Sequence, residues 1–271
     1  MKKAIAIIII TAFAAQLAGC RANNETAENI SENAADKLEE YSVEMTRKER
    51  SEDFLRTEGI KINLYLPEIM TEEEAKIKSP EEAVRRAVCA FLTAGIAIDI
   101  MNGETGVESA EFFTQLLNRF DLGNYLTADE KRYFAKAGEN PPEITAEEAN
   151  DMQWRMEMCM PIFWAYGFLE DDDLPFPSEI TDTTDMVNLI GSCKDFDELM
   201  SHVRMHTASE ILDNADVCYR MDWACVEARI KNDPTICGEL MSDVVTEQHK
   251  GYCWLIGAEG AEDWDNVIAN T

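Results

Sequence analysis

The stretch Ser79-Pro80-Glu81-Glu82, followed by Val84, Ala87, Val88, Phe91, Leu92, Gly95 and Ile96, decides the fold class. Ser79 is placed to cap a helix, Pro80 suits its first position and Glu82 suits the third, the signature of a capping box. The apolar residues behind it recur with a period of 3.6, so they form a broad buried face. The same start signal returns at Thr127-Ala128-Asp129-Glu130, Thr145-Ala146-Glu147-Glu148 and Thr207-Ala208-Ser209-Glu210. A further helix is expected from Ser242 or Asp243 to Gly257. Only Ile60 to Leu66 reads as extended, and Pro67 stops it. The chain is therefore expected to be all-α, a single multi-helix globular domain.

Outward from this helix, the composition bounds what the domain does. The 271 residues hold 53 Asp and Glu against 24 Lys and Arg, a formal net charge of −29. With 46% hydrophobic residues the chain is no acidic disordered tail. Its charge opposes phosphate-backbone binding, so no nucleic-acid partner is expected, whereas a cationic protein or peptide partner suits the field.

Residues 1–19 read as a lipoprotein signal peptide. Lys2 and Lys3 form a basic start, and Ala4 to Ala18 form an apolar run too short to span a bilayer. The run closes on Leu17-Ala18-Gly19-Cys20, which resembles the lipobox of bacterial lipoproteins. That resemblance makes Cys20 the lipidated first residue of the mature chain and puts it on the extracytoplasmic face of the cell membrane. The alternative is a plain signal peptide or an uncleaved anchor. Residues 20–46 then form a polar tether, on the order of 25–30 Å as a coil, and residues 47–271 form the helical domain.

The helix starting near Thr145 carries Trp154, Met156, Met158, Pro161, Phe163, Trp164 and Tyr166, apolar on most sides. It should be central to the core, with a kink at Pro161. The acidic quartet Glu170 to Asp173 lacks the ligand alternation of a calcium loop and reads as a solvated turn. Apart from Cys20, seven cysteines remain, an odd set without Cys-x-x-Cys spacing, expected to act as small buried hydrophobes.

The helix from Thr207 holds the most suggestive constellation. Asp213, Asp216, Arg220, Trp223 and Glu227 follow at spacings of 3, 4, 3 and 4, one stripe along the helix. A charged groove binding a cation or polar ligand is one reading; a solvated or interhelical salt-bridged face is the other. Together with Glu247, the trio Asp213, Asp216 and Arg220 would supply a hydrolase, metal-assisted or not, with acid, base and orienting groups. Glu198, His202 and His206 fall four apart, a spacing that suits a metal only if one helix carries all three, and Thr207 argues otherwise. His249 reads as a core histidine bonded to a carboxylate. With neither a P-loop, a dinucleotide fingerprint nor a Gly-x-Ser-x-Gly elbow present, neither cofactor nor resident metal is expected.

Longer motifs then carry a family resemblance. Arg50-Ser51, Gly59-Ile60, Leu66-Pro67 and Ser79 to Glu82 open it; Trp154 to Glu157, Trp164 to Gly167 and Leu174 to Pro177 continue it. Glu210 to Asp213, Asp216, Tyr219-Arg220, Trp223-Ala224 and Arg229 follow, and Val244 to Glu247, Trp254-Leu255 and Trp264 to Val267 complete it. The pattern resembles the bacterial family called domain of unknown function 4272. The resemblance implies a helical domain, most often cytoplasmic, and no particular activity. It also groups Trp154, Arg155, Glu157, Glu210, Asp213, Asp216, Arg220, Trp223, Glu247, Trp254 and Asp265 as a candidate polar and aromatic cluster. The leader, Asp222 in place of a histidine and Gln248 in place of an arginine are departures from the pattern. A membrane-tethered binding or interaction module is thus the first expectation for function, and the hydrolase is its rival.

Overall fold

The computed structural model describes residues 45–169 and 176–271. The leader, Cys20, the tether up to residue 44 and the quartet Glu170 to Asp173 lie outside the described residues. Within them the chain is helical and forms no β-strand. In order come α1 (Arg47–Thr57), α2 (Pro80–Met101), α3 (Gly106–Arg119), α4 (Ala128–Ala137), α5 (Ala146–Gln153), α6 (Arg155–Ala165), α7 (Thr184–Ser192), α8 (Phe196–Met200), α9 (Ala208–Lys231) and α10 (Ser242–Ile256). The all-α reading holds. No helix among the described residues is long and apolar enough to cross a membrane.

The start signals work as hydrogen bonds. Thr127, Thr145 and Thr207 each cap their helix in reciprocal boxes with Glu130, Glu148 and Glu210. Ser79 accepts the Glu82 N–H, and Thr46 with Glu49 adds a further box on α1. Each cap satisfies amides that a helix start leaves without partners, an effect of about 1 kcal/mol.

Helix α2 is the hub. Ala83, Val84, Ala87, Val88, Ala90, Phe91 and Leu92 are all buried, and α3, α5 and α6 pack around it. From α2 the helices continue as a stack: α6 lies between α2 and α10, α10 between α6 and α9, and α9 between α10 and α1. Two hydrophobic clusters result. The larger surrounds α2, α6 and α10; the smaller joins Phe54 and Leu55 of α1 to Met221, Ala224 and Cys225 of α9.

Two close approaches set this stack. On α10, a Cβ at Gly251 would overlap the Met158 carbonyl oxygen of α6 and crowd the Pro161 ring. The α6 and α10 backbones can meet only because residue 251 has no side chain. The last carbonyls of both helices are then satisfied by irregular backbone. Lys76 and Lys78 donate to Ile256 and Leu255 at 2.9 Å, while Arg204 and His206 donate to Tyr166 and Ala165 at 2.8 and 2.9 Å.

Two local readings differ, and the cysteine reading holds. The helix from Thr145 divides at Trp154 into α5 and α6, seven residues before Pro161, which sits inside α6. Residues Ile60 to Leu66 form no strand, for the described residues hold no other strand to pair with them; Lys61 donates one bond to Ile236, and Asn63 turns the chain. All seven described cysteines are free thiols, six of them buried. Burial pushes the Cys89 and Cys225 thiols up to about 12, so they behave as small hydrophobes.

Asp99 near the end of α2 is 2% exposed and takes the Ser109 hydroxyl on Oδ2. Its Oδ1 has no partner among the described residues. Burial outweighs that bond, and the nearby Glu104 adds repulsion, pushing Asp99 up to about 6.

Two outcomes follow for stability. Gly251→Ala should destabilise by about 3 kcal/mol through overpacking, although glycine to alanine ordinarily favours a helix by about 1 kcal/mol. Gly191→Ala on α7, where a Cβ meets open space, should be neutral or mildly stabilising, and paired thermal melts compare the two. Because the folded state binds the Asp99 proton more tightly, its contribution is complete below pH 4 and lost as pH rises through about 6. At about 1.4 kcal/mol per pKa unit, roughly 3 kcal/mol disappears over that window. Asp99→Asn should therefore raise stability at pH 7.5 and lose its advantage at pH 4 in denaturant titrations.

Candidate functional site

Helix α6 begins Arg155-Met156-Glu157-Met158 and buries nearly everything after its first residue. Glu157 is 2% exposed. Its carboxylate accepts the Thr181 N–H and hydroxyl, both at 2.8 Å, and the Gln248 amide of α10 at 3.1 Å. All three donors are neutral, and no cation among the described residues lies within ion-pair distance. Burial pushes Glu157 above the usual carboxylate range despite these bonds, and the nearby Glu247 adds in the same direction.

Beside Glu157 opens a cavity of about 200 Å³. Phe91, Leu92 and Ile98 of α2, Phe112, Phe113 and Leu116 of α3, and Trp154 at the α5–α6 break make it predominantly apolar. The segment Ile180 to Thr184 and Val187, Ile190 and Gly191 of α7 complete the wall. Gly95 also lines it, and a Cβ there would stand 2.6 Å from Phe113 Cζ. The missing side chain lets the Phe113 ring lie against α2. Among the described residues, the formal charges on the wall are those of Glu157 and the exposed Asp182, with no Lys, Arg or His.

The stripe on α9 has a different role. Asp213 accepts Arg47 Nε at 2.8 Å and Arg50 Nη2 at 2.7 Å, both from α1. Asp216 and Arg220 are buried and paired at 2.8 Å, and Asp216 also accepts the Ile69 N–H. Arg220 donates to the Pro67 carbonyl and faces Glu52 of α1 at 3.7 Å. The stripe is thus an interhelical salt-bridged face that fastens α1 and the 67–69 segment to α9. Trp223 is half-buried in the smaller cluster. Glu247 pairs with Lys250 at 2.5 Å, and no bond or ion pair links it to Asp213, Asp216 or Arg220.

The other candidates also divide. Arg155 donates to Asp265 at 2.7 Å, and Asp265 also accepts the Thr127 hydroxyl, closing the last segment over α4 and α6. Burial alone would raise the Asp265 pKa, but Arg155 and Thr127 outweigh it and hold the carboxyl low. Trp254 meets Trp264 edge to face at 5.1 Å. Glu210 caps α9, and its bonds to Thr207 hold its carboxyl low. His202 and His206 lie beyond the end of α8, with the His206 ring stacked on Trp164 at 4.2 Å. His249 Nδ1 sits 2.9 Å from Asp222; burial alone would lower the imidazole, but Asp222 and Cys253 together raise it to about 9. No three of His, Cys, Asp or Glu among the described residues converge to hold a metal ion.

Of the candidate site residues named from sequence, Trp154 and Glu157 line the cavity, Asp213, Asp216, Arg220, Arg155 and Asp265 join elements, and Glu210 and Glu247 bond at or within their own helices. Phe112, Phe113 and Thr181 were missed. A glycine inside an apolar helix is the local signal that could have pointed to the Phe113 contact; Thr181, 24 residues beyond Glu157 in an irregular segment, leaves no such trace.

Neither the curated proteins nor the solved structures contain a match to the chain. The family model described as "Domain of unknown function (DUF4272)" matches residues 47–267, the whole helical stack from α1 to the segment closed by Asp265. The chain belongs to the DUF4272 family.

Proposed function

We propose that the chain is a lipid-anchored extracytoplasmic binding module whose helical domain holds a small apolar ligand between α2, α3, α6 and α7. The observation that carries this reading is the 200 Å³ cavity walled by Phe91, Phe112, Phe113 and Trp154. An engineered apolar cavity of about 150 Å³ is already large enough for benzene, so a monocyclic aromatic or a short alkyl chain fits. The buried Glu157 and its donors give one polar point beside an apolar surface, the usual composition of a ligand pocket. The rival hydrolase has less support, since Asp213, Asp216 and Arg220 are engaged in pairs that join helices.

The anchor rests on Leu17 to Cys20 and the leader before it. A lipid at Cys20 would keep the module at the membrane surface while its own negative charge holds it off anionic headgroups.

Toluene, a neutral monocyclic aromatic, at ten times its Kd should stabilise the full chain by about 1.4 kcal/mol, a rise of about 3–5 °C in Tm. Val187→Trp, which fills the cavity from α7, should abolish that rise while leaving the unliganded melt cooperative. Absence of any shift with neutral aromatics would remove the pocket reading. In cells, Cys20→Ser should end palmitate labelling and release the chain from the membrane fraction; unchanged labelling would remove the anchor.

A further inference from the structure

Resting on that reading of the cavity, we infer that its ligand is an apolar amine, whose protonated nitrogen pairs with Glu157 while its hydrocarbon part fills the aromatic pocket. Three independent features point to this class. The first is the chemistry of the wall: among the described residues its charges are the carboxylates of Glu157 and Asp182, and none that lines it is basic. An apolar carboxylic acid or phosphate would enter against both.

The second is how Glu157 is solvated. A buried carboxylate is ordinarily matched by a cation, because burial without one is costly. Glu130, paired with Arg86, and Asp216, paired with Arg220, follow that rule, whereas Asp99, which does not line this cavity, has only the Ser109 hydroxyl. Glu157 has only the Thr181 N–H and hydroxyl and the Gln248 amide. Its Oε1 accepts one bond and keeps a further lone pair. The surrounding cations are committed elsewhere. On its own helix Arg155 is bound to Asp265, and on α10 Lys250 is bound to Glu247. Glu247 from α10 and Asp182 from the 180–184 segment are the remaining charges, both negative.

The third is the aromatic surface. Trp154 stands in the wall three residues before Glu157 on the same turn of chain, and Phe91, Phe112 and Phe113 line the remainder. An ammonium group beside such rings gains cation–π attraction in addition to its ion pair. A neutral ligand gains neither.

The test compares 2-phenylethylamine with 2-phenylethanol, which share a skeleton and differ in charge, by calorimetry on the full chain. At pH 7.5 the amine should bind at least tenfold more tightly. Glu157→Gln, which can still accept from Thr181, should reduce the amine to the affinity of the alcohol and leave the alcohol unchanged. As a check independent of that variant's folding, lowering the pH until Glu157 takes up its proton should weaken the amine, which stays charged, and leave the alcohol flat. Equal binding of amine and alcohol, or an amine preference indifferent to both Glu157→Gln and pH, overturns the amine assignment and leaves the pocket standing. Failure of both compounds to bind overturns the pocket and the assignment together.

Discussion

The contact between Gly251 and the Met158 carbonyl is the constraint on which the rest of this domain depends. Helix backbones ordinarily stay 8–10 Å apart because side chains separate them. Here one side chain is missing, and α6 and α10 come close enough that their neighbouring residues have no freedom of placement. Glu157 precedes Met158, and Gln248 lies one turn before Gly251. The bond between them is therefore a consequence of the crossing. So is the position of Thr181, which Glu157 holds through two bonds, and through Thr181 the segment that closes the cavity. The backbone contact and the ligand pocket are one arrangement seen at two distances.

Buried charge is used in two distinct ways. Along α9 and on α2 it is neutralised, Asp216 by Arg220 and Glu130 by Arg86, and the half-buried Asp213 takes two arginines. Such pairs add little net stability, because desolvation consumes most of the attraction, but breaking one leaves an isolated charge and is severe. They fix which helix lies where. At Glu157 and Asp99 the carboxyl is buried without a cation, and both titrate upward in consequence. Glu157 lines the aromatic cavity, and Asp99 does not.

The helical class, the caps and the broad apolar face of α2 were legible because each depends on residues within a few positions of one another. Thr207 and Glu210, or Ser79 and Glu82, reveal a helix start without reference to the rest of the chain. The stripe Asp213–Asp216–Arg220 was equally legible as a stripe, but its meaning depended on Arg47 and Arg50, more than 160 positions away. Periodicity shows which residues share a face, and it is silent on what covers that face. The cavity was illegible for a related reason: it is a space left among α2, α3 and the 180–184 segment, defined by what fails to fill it. The division at Trp154 likewise has no marker as plain as Pro161, which drew attention to the wrong position.

The smaller cluster gives α9 an unusual mechanical position. Its first half belongs to the large core through Ile211, Leu212 and Ala215, and its second half to the small one through Met221, Ala224 and Cys225. Helix α1 touches α9 and leaves the large cluster alone. If α1 lifts away, only the small cluster is exposed, and Arg220 keeps Asp216 as its partner. The domain thus contains two cooperative units of unequal depth. Amides of α1 can exchange with water through its detachment, while those at the start of α9 wait for the whole molecule to open.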